Sequence, residues 1–561
     1  MIKKMKLTSE NKPIDKLLEV NGLSIQALHP VRKNLVHNIS FDIEASETVA
    51  LVGESGSGKS LTAFSLFGLQ PNDIKISNGS VTFEGEIVYP STKATIRALC
   101  QFSVGFVFQE AQSSLNPVVS IGKQIVEVVK NSGTENTNIS QQKQKAINLL
   151  DEVEIDDPER VYNLFPHQLS GGMKQRVMIA IALAKNPRLL IADEPTTALD
   201  VSVQAKILKL IRQIQVKSGM GVLFITHDLA VAFEIADRIM VMKEGQIIDC
   251  TSSKSFSSTK PSEYAKKLIS SLPSWSKRVS EGRTNFQDSE ESILRVNNLS
   301  VSFQLKKNHI FSRRNFFKAI ENVTFTLQKG RTLAVVGESG SGKTTLAKTI
   351  LGLCSAELSG NITYQDTNIL NCSSRDLKKI RGSLQIVFQD PISSLNPRLR
   401  IGEIIREGID IHEPKQNDKL VLKKVNALLN DVGLPSDSMY RFPHEFSGGQ
   451  RQRICIARAL ALEPEVIICD EPTSSLDVLI QSQIIDLLKQ LQKNKGISYL
   501  FITHDINLVS YFADEVLVLR KGKLIEYGEV HEVVMKANNP YTQSLLAAAP
   551  KVPEDVIKNL L

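Results

Sequence analysis

The stretch Leu51–Ser60, "LVGESGSGKS", returns at Val335–Thr344 as "VVGESGSGKT". Ahead of the first copy, Val49–Val52 is apolar and β-favouring and reads as a buried strand, while "LTAFSLFGL" behind it has helical spacing. Strand, glycine-rich loop and helix form the context in which backbone N–H groups cradle phosphate. Gly53, Gly56 and Gly58 let the backbone turn those groups inward, and the helix start adds a favourable dipole. Lys59 is placed to reach the β- and γ-phosphates of a nucleotide, and the Ser60 hydroxyl to hold Mg²⁺. Gly337, Gly340, Gly342, Lys343 and Thr344 repeat the set.

The repetition runs through the chain. "FVFQEAQSSLNP" at Phe106 returns as "IVFQDPISSLNP" at Ile386, and "FPHQLSGGMKQRVMIAIALAKNP" at Phe165 as "FPHEFSGGQRQRICIARALALEP" at Phe442. "LLIADEPTTALDVSVQ" at Leu189 matches "VIICDEPTSSLDVLIQ" at Val466, and "LFITHDLA" at Leu223 matches "LFITHDIN" at Leu500. Late in each half the offset is constant: Ser170 and Ser447, Asp193 and Asp470, His227 and His504 all lie 277 positions apart. This is one domain written twice, with a period far longer than that of a solenoid repeat. The reading places a first domain at 15–270, a polar linker at 271–292 and a second domain at 293–550. Roughly twenty linker residues span up to about 60 Å when extended, enough for the halves to meet. Length alone would suggest about three to five compact units.

Bulk properties narrow the class. The chain has 561 residues, 42% hydrophobic and 23% charged, ordinary values for a globular protein. A net charge of +7 is small at this length and demands neither nucleic acid nor a membrane surface. No run approaches a membrane span. The start, "MIKKMKLTSENKPIDK", has no apolar stretch behind its basic residues and is not read as a secretory signal. Cys100, Cys250, Cys354, Cys372, Cys455 and Cys469 are scattered with no CxxC pair, so zinc or iron–sulfur sites are not expected and a reducing compartment fits.

The remaining motifs suit nucleotide hydrolysis. "LLIADEP" and "VIICDEP" are apolar strands ending in two acids. Asp193 and Asp470 are placed to hold the Mg²⁺ shell, and Glu194 and Glu471 to act on an attacking water. His227 and His504, each at a strand end, could hydrogen-bond a γ-phosphate or simply be satisfied polar residues. Gln109 and Gln389 carry a weaker signal, since a strand-ending Gln is common. Ser170, Gly171 and Gly172, like Ser447, Gly448 and Gly449, open an Arg-bearing helix. Such a start can bind an anion, or the serine can be only an N-cap.

Taken together, P-loop, Q-loop glutamine, "SGG" signature, "DEP" and "THD", in that order and twice over, resemble the nucleotide-binding domains of ATP-binding cassette (ABC) proteins. The resemblance implies two tandem P-loop NTPase domains of α/β class, each with an α/β core, an antiparallel β region and a helical subdomain. The helical inserts should run from about Gln109 to Ser170 and from Gln389 to Ser447, and the D-loop positions are Asp200 and Asp477. "SSLNP" after each Q-loop and "NNPYTQSLLAAAP" near the end are similar to the oligopeptide/dipeptide/nickel branch of importers, and most to its fused glutathione-type and microcin-C-type ATPases. That branch implies ATP and Mg²⁺, two membrane permeases, an extracytoplasmic substrate-binding protein, peripheral attachment at the cytoplasmic face of the inner membrane, and no nucleic acid partner. It also implies two composite sites. One joins Lys59, Ser60, Gln109, Asp193, Glu194 and His227 to Ser447–Gly449; the other joins Lys343, Thr344, Gln389, Asp470, Glu471 and His504 to Ser170–Gly172.

Some positions depart from the pattern. Met173 stands where the second half has Gln450. Phe316 or Phe317 can stack on adenine, whereas the alignment of "NLVHNISF" with "KAIENVTF" puts Lys33 opposite Phe317. The first site is therefore expected to bind ATP more weakly. The tail "KPSEYAKKL" of the first half reads as a degraded form of "PYTQSLL". Ribosome-acting cassette proteins also carry two cassettes without membrane spans, but their linker is typically long, helical and charged; a DNA-repair cassette protein would need inserted zinc cysteines. The transported substrate is not encoded in these motifs.

Overall fold

The computed structural model describes residues 16–29, 32–92, 96, 99, 103–131, 138–197, 199–256, 261–273, 278, 291–304, 316–474, 476–553 and 556–557. Cys100, the first fifteen residues and most of the expected linker lie outside that set. The chain forms two compact units, one built mainly from residues before Ser271 and the other mainly from Ser271 onward. Length suggested more units than two. They are few because each one packs antiparallel strands and a helical insert against a single parallel sheet, so no part has a core of its own.

In the first half the strands are β1 (Leu18–Ala27), β2 (Lys33–Ile43), β3 (Thr48–Val52), β4 (Ile74–Phe83), β5 (Glu86–Tyr89), β6 (Val104–Val107), β7 (Leu189–Asp193), β8 (Gly221–Thr226), β9 (Arg238–Lys243) and β10 (Gln246–Ser252). They make an antiparallel sheet in the order β2-β1-β4-β5 and a second sheet in the order β10-β9-β3-β8-β7-β6. In the second sheet β9, β3, β8, β7 and β6 run parallel. Every residue of β3, β7 and β8 is buried. Parallel strands are covered on both faces, which is why "TVALV", "LLIAD" and "GVLFIT" are continuous apolar runs rather than alternating ones.

The second half repeats the plan with β11 (Ser292–Gln304), β12 (Phe316–Gln328), β13 (Thr332–Val336), β14 (Glu357–Tyr364), β15 (Thr367–Asn368), β16 (Leu384–Val387), β17 (Val466–Asp470), β18 (Ser498–Thr503), β19 (Glu515–Arg520) and β20 (Lys523–Glu529). Here all ten strands form one sheet, because β12 bridges to β20 at Glu321 and Lys523. On one side of the parallel strands, β11–β14 share a core with Leu346 and Ile350 of the helix Lys343–Ile350. On the other, Ile467, Cys469, Tyr499 and Phe501 pack against Ile404, Ile405, Val425 and Leu429 of the insert.

The inserts are helical. Ile121–Asn131, Ile139–Glu152 and Pro158–Asn163 lie between Gln109 and Ser170, and Ile401–His412 and Asp418–Asp431 between Gln389 and Ser447. In Ile121–Asn131 the buried Ile121, Ile125 and Val129 recur every four residues, the stripe by which such a helix docks. This architecture brings the ends of β3, β6, β7 and β8, and of their counterparts, to one edge of each sheet. Ligands of open parallel sheets bind at that carboxyl edge.

Candidate functional site

The glycine loop follows β3 directly, and the helix Lys59–Leu66 begins within it. Gly58 and Gly342 cap their helices at φ of 104° and 105°, a region costly for residues with a Cβ. A Cβ on Gly53 would meet the Met242 carbonyl oxygen at 2.2 Å, and one on Gly337 the Leu519 oxygen at the same distance. The loop is therefore pressed against the end of the neighbouring strand. Lys59 is buried, and its ammonium donates to the carbonyls of Gly53 and Glu54, both at 2.8 Å. Lys343 does the same with Gly337 at 2.7 Å and Glu338 at 3.0 Å.

The ends of the other strands converge on it. The Ser60 hydroxyl donates to Asp193 Oδ1 at 2.8 Å, and Thr344 to Asp470 Oδ1 at 3.2 Å. Gln109 Nε2 donates to Glu194 Oε2 at 2.8 Å, and Gln389 to Glu471 Oε2 at 3.0 Å. His227 Nδ1 lies 3.2 Å from Glu194 Oε1, and His504 Nδ1 3.2 Å from Glu471 Oε2. Each half thus gathers lysine, hydroxyl, aspartate, glutamate, glutamine and histidine from segments far apart in sequence. Glu194 and Glu471 have left-handed backbones, at φ of 45° and 47°. A non-glycine residue held there carries strain, and such positions cluster at functional sites. An N–H bond to the carbonyl of Ile225 or Ile502, 2.9 Å in each half, fixes the turn.

The adjacent acids are tuned in opposite directions. Burial pushes the Asp193 carboxyl up to about 6, only partly offset by the Ser60 hydroxyl. Burial also pushes Glu194 up, but the hydrogen bond and charge of His227, with Thr197 and Lys59, outweigh it and leave the group at about 2. Asp470 is raised by burial, and Glu471 is lowered by His504 and Lys343 against the effect of burial. Burial lowers His504, but its bond to Glu471 raises it further, so the net direction is upward. A carboxylate that stays ionised while buried beside a histidine is suited to orienting a water molecule and less to removing its proton outright.

Ser170, Gly171 and Gly172, and likewise Ser447, Gly448 and Gly449, sit at the starts of the helices Gly171–Leu183 and Gly448–Leu460. The bonds of both serines run to their own helices: Ser170 Oγ accepts from Met173 N–H at 3.3 Å and Ser447 Oγ from Gln450 N–H at 3.4 Å. Gly172 and Gly449 permit close packing, since a Cβ would lie 2.6 Å from Val203 Cγ1 and 2.4 Å from Ile480 Cγ2. Asp200 and Asp477 lead into the helices Val201–Ser218 and Val478–Lys495. Gly56 and Gly340 are open turn positions with φ of 81° and 76°.

Thr197 was not singled out by the motifs, yet its hydroxyl donates to Glu194 Oε2 at 2.9 Å. Its counterpart Ser474 turns instead to the Glu471 backbone carbonyl at 3.2 Å. The only sequence signal is a hydroxyl residue three places after the glutamate, which suits an ordinary turn equally well. At the start of β12, Phe316 and Phe317 are 38% and 56% exposed, while Lys33 occupies the corresponding start of β2. Two residues beyond Phe317, the Ala319 carbonyl lies 2.8 Å from where a Gly342 Cβ would be, so β12 passes the phosphate-binding loop at Ala319.

A family model described as ABC transporter matches residues 36–197 and 320–474, which include both glycine loops and both acid pairs. The chain is 41% identical over 533 residues to the ABC transporter ATP-binding protein YejF of Escherichia coli (strain K12), covering 95% of this chain and 99% of that one. It is 40% identical over 537 residues to the peptidoglycan transport ATP-binding protein YejF of Agrobacterium fabrum, covering 95% and 96%. It is 40% identical over 562 residues to the glutathione import ATP-binding protein GsiA of Salmonella paratyphi A, covering 95% and 89%. The chain therefore belongs to the ABC transporter ATP-binding family, as an ATPase that carries two ATP-binding cassettes in one polypeptide.

Proposed function

We propose that this ATPase energises an importer for peptides or related small solutes, binding and hydrolysing ATP at two sites. The observation that carries the reading is the duplicated cluster, in which Lys59, Ser60, Gln109, Asp193, Glu194 and His227 are matched contact for contact by Lys343, Thr344, Gln389, Asp470, Glu471 and His504. The loop N–H groups and the lysine bind the phosphates. Glu194 and Glu471 orient the attacking water, with Gln109 and His227, or Gln389 and His504, fixing each carboxylate. Ser60 with Asp193, and Thr344 with Asp470, offer paired hard oxygens of the kind Mg²⁺ takes. Mg²⁺ is usually held by one or two protein oxygens together with phosphate and water, and a bound ion would take its remaining ligands from these. When bound it would offset phosphate charge. Phe316 or Phe317 stacks on adenine in the second half.

We further propose that each loop is closed by the signature of the other half, Ser447–Gly449 for the first site and Ser170–Gly172 for the second. Supporting this, each half holds one loop and one serine-capped helix start whose N–H groups suit an anion. With the second site silenced by Lys343→Ala, Ser447→Arg should lower hydrolysis at the first by roughly 10²–10³-fold, the cost of one misplaced transition-state donor. Unchanged hydrolysis would mean self-contained sites.

The cargo class rests on relatives named for peptidoglycan transport and glutathione import, cargoes that both contain short peptides. No helix among the described residues is long and apolar enough to cross a membrane. Relatives named for transport and import support a reading with two permeases that bind the chain at the cytoplasmic face of the inner membrane, and an extracytoplasmic substrate-binding protein. Affinity purification of the tagged protein from detergent-solubilised native cells tests it. Two polytopic permeases in stoichiometric amount are expected; ribosomal proteins without permeases would replace transport with a role in translation.

A further inference from the structure

The motif reading left the tail of each half without a role. The helices Glu263–Ser270 and Pro540–Ala548 each carry a tyrosine at their second position, Tyr264 and Tyr541, again 277 positions apart. The Tyr264 hydroxyl accepts a hydrogen bond from the Glu54 N–H at 3.3 Å, and the Tyr541 hydroxyl accepts from the Glu338 N–H at 3.3 Å. Both N–H groups belong to the phosphate-binding loops. The peptide unit that supplies each one also supplies the carbonyl, of Gly53 or Gly337, that accepts from Lys59 or Lys343 at 2.8 and 2.7 Å. In a trans peptide the N–H and C=O point in opposite directions. Tyrosine and lysine therefore hold one peptide plane from its two edges.

The tail is itself fixed by matching contacts. Asp249 of β10 accepts from the Ser262 N–H at 3.0 Å, and Glu526 of β20 accepts from the Asn538 and Asn539 N–H groups at 3.1 Å each. Lys243 lies 5.3 Å from the Tyr264 ring centroid and Arg520 lies 4.6 Å from that of Tyr541. Each of these cations directly follows the residue whose carbonyl abuts the first loop glycine, Met242 or Leu519. Strand end, tail and loop thus form one closed set of contacts, built twice. The first tail, which reads as degraded in sequence, keeps its tyrosine, its anchoring acid and its cation.

We propose that Tyr264 and Tyr541 are positioning residues for the two ATP sites, each setting through its hydroxyl the loop peptide on which the phosphate-binding lysine rests. The inference depends on the glycine loops being the ATP sites. In the full chain, Lys59→Ala isolates the second site, and Tyr541→Phe in that background removes the hydroxyl but keeps the ring. A neutral hydrogen bond of ordinary strength predicts about a fivefold rise in the KM for ATP, with kcat within twofold and an unchanged melting temperature. Tyr264→Phe in a Lys343→Ala background repeats the test on the first site. A Phe variant with the wild-type KM, or one whose kcat and melting temperature fall together, overturns the inference and leaves the tyrosines as packing residues. A Lys343→Ala chain that still binds a fluorescent ATP analogue at both sites would instead refute the assignment of the loop, which separates that failure from this one.

Discussion

The two halves agree where phosphate is handled and differ where their sheets meet. At the site, the glutamate–histidine distance is 3.2 Å in both, and the glutamine–glutamate distance is 2.8 and 3.0 Å. At the seam between sheets, Glu321 pairs with Lys523 and Lys318, and β12 joins β20. His37 and Gln246 stand at the matching places in the first half, where β2 and β10 stay in separate sheets. A cleft lined in part by His37, Ser40, Gln246 and Cys250 opens there. One backbone bond survives in both seams, His37 N–H to Gly245 and Glu321 N–H to Gly522, each 2.8 Å. That bond is common to both seams, while the side chains across them differ. Around the acids the glutamine and histidine bonds to the glutamate are kept in both halves, and only the hydroxyl at Thr197 and Ser474 differs.

The strongest way to break this comparison is to remove the glutamates. Glu194→Gln with Glu471→Gln should cut ATP hydrolysis by roughly 10²–10⁴-fold, the usual worth of a positioned acid–base group, with ATP binding retained. Each single variant should lose a substantial part of turnover. If Glu471→Gln abolishes hydrolysis and Glu194→Gln changes nothing, the halves match in geometry but not in use.

Next in size is the proposed adenine contact, where Phe316 and Phe317 of the second half have Lys33 as their counterpart in the first. A base–aromatic stack is worth roughly 1–3 kcal/mol. Phe317→Ala should therefore weaken the second site by about five- to a hundredfold, and Lys33→Phe should tighten the first. Titration with a fluorescent nucleotide, with the other site silenced at its lysine, reads each one. Equal affinities in the wild-type chain, unmoved by either change, would mean that adenine is held elsewhere.

What the sequence disclosed follows the same division. The loops and the acid pairs were legible because each is a short local string, and the signature serines were legible as helix caps. The parallel strands were legible because burial on both faces demands unbroken apolar runs. Thr197 escaped because a hydroxyl after a turn is common, and only the fold aims it at Glu194. Tyr264 and Tyr541 escaped because their partners lie 210 and 203 residues away, across a whole domain. The left-handed backbones of Glu194 and Glu471 left no mark in composition, since the bonds at the turn are made by backbone groups, which every residue type carries.

The smallest predicted effect concerns Met173 and Gln450, and it separates a structural difference from a catalytic one. Gln450 Oε1 accepts from the Ser447 N–H at 3.0 Å while Ser447 Oγ accepts from the Gln450 N–H, a reciprocal cap. Met173 has no group to return the bond, so the first signature helix is capped from one side. Gln450→Met should lower the stability of the second half by about 0.5–1 kcal/mol, and Met173→Gln should raise that of the first by a similar amount. Urea midpoints of the two units, followed by hydrogen exchange, report each change separately. Turnover at saturating ATP should hold, because the cap orders a helix that the rest of the domain already buries. If Gln450→Met instead lowers turnover strongly at unchanged stability, the glutamine acts on nucleotide, and the methionine marks the first signature as the weaker catalytic partner.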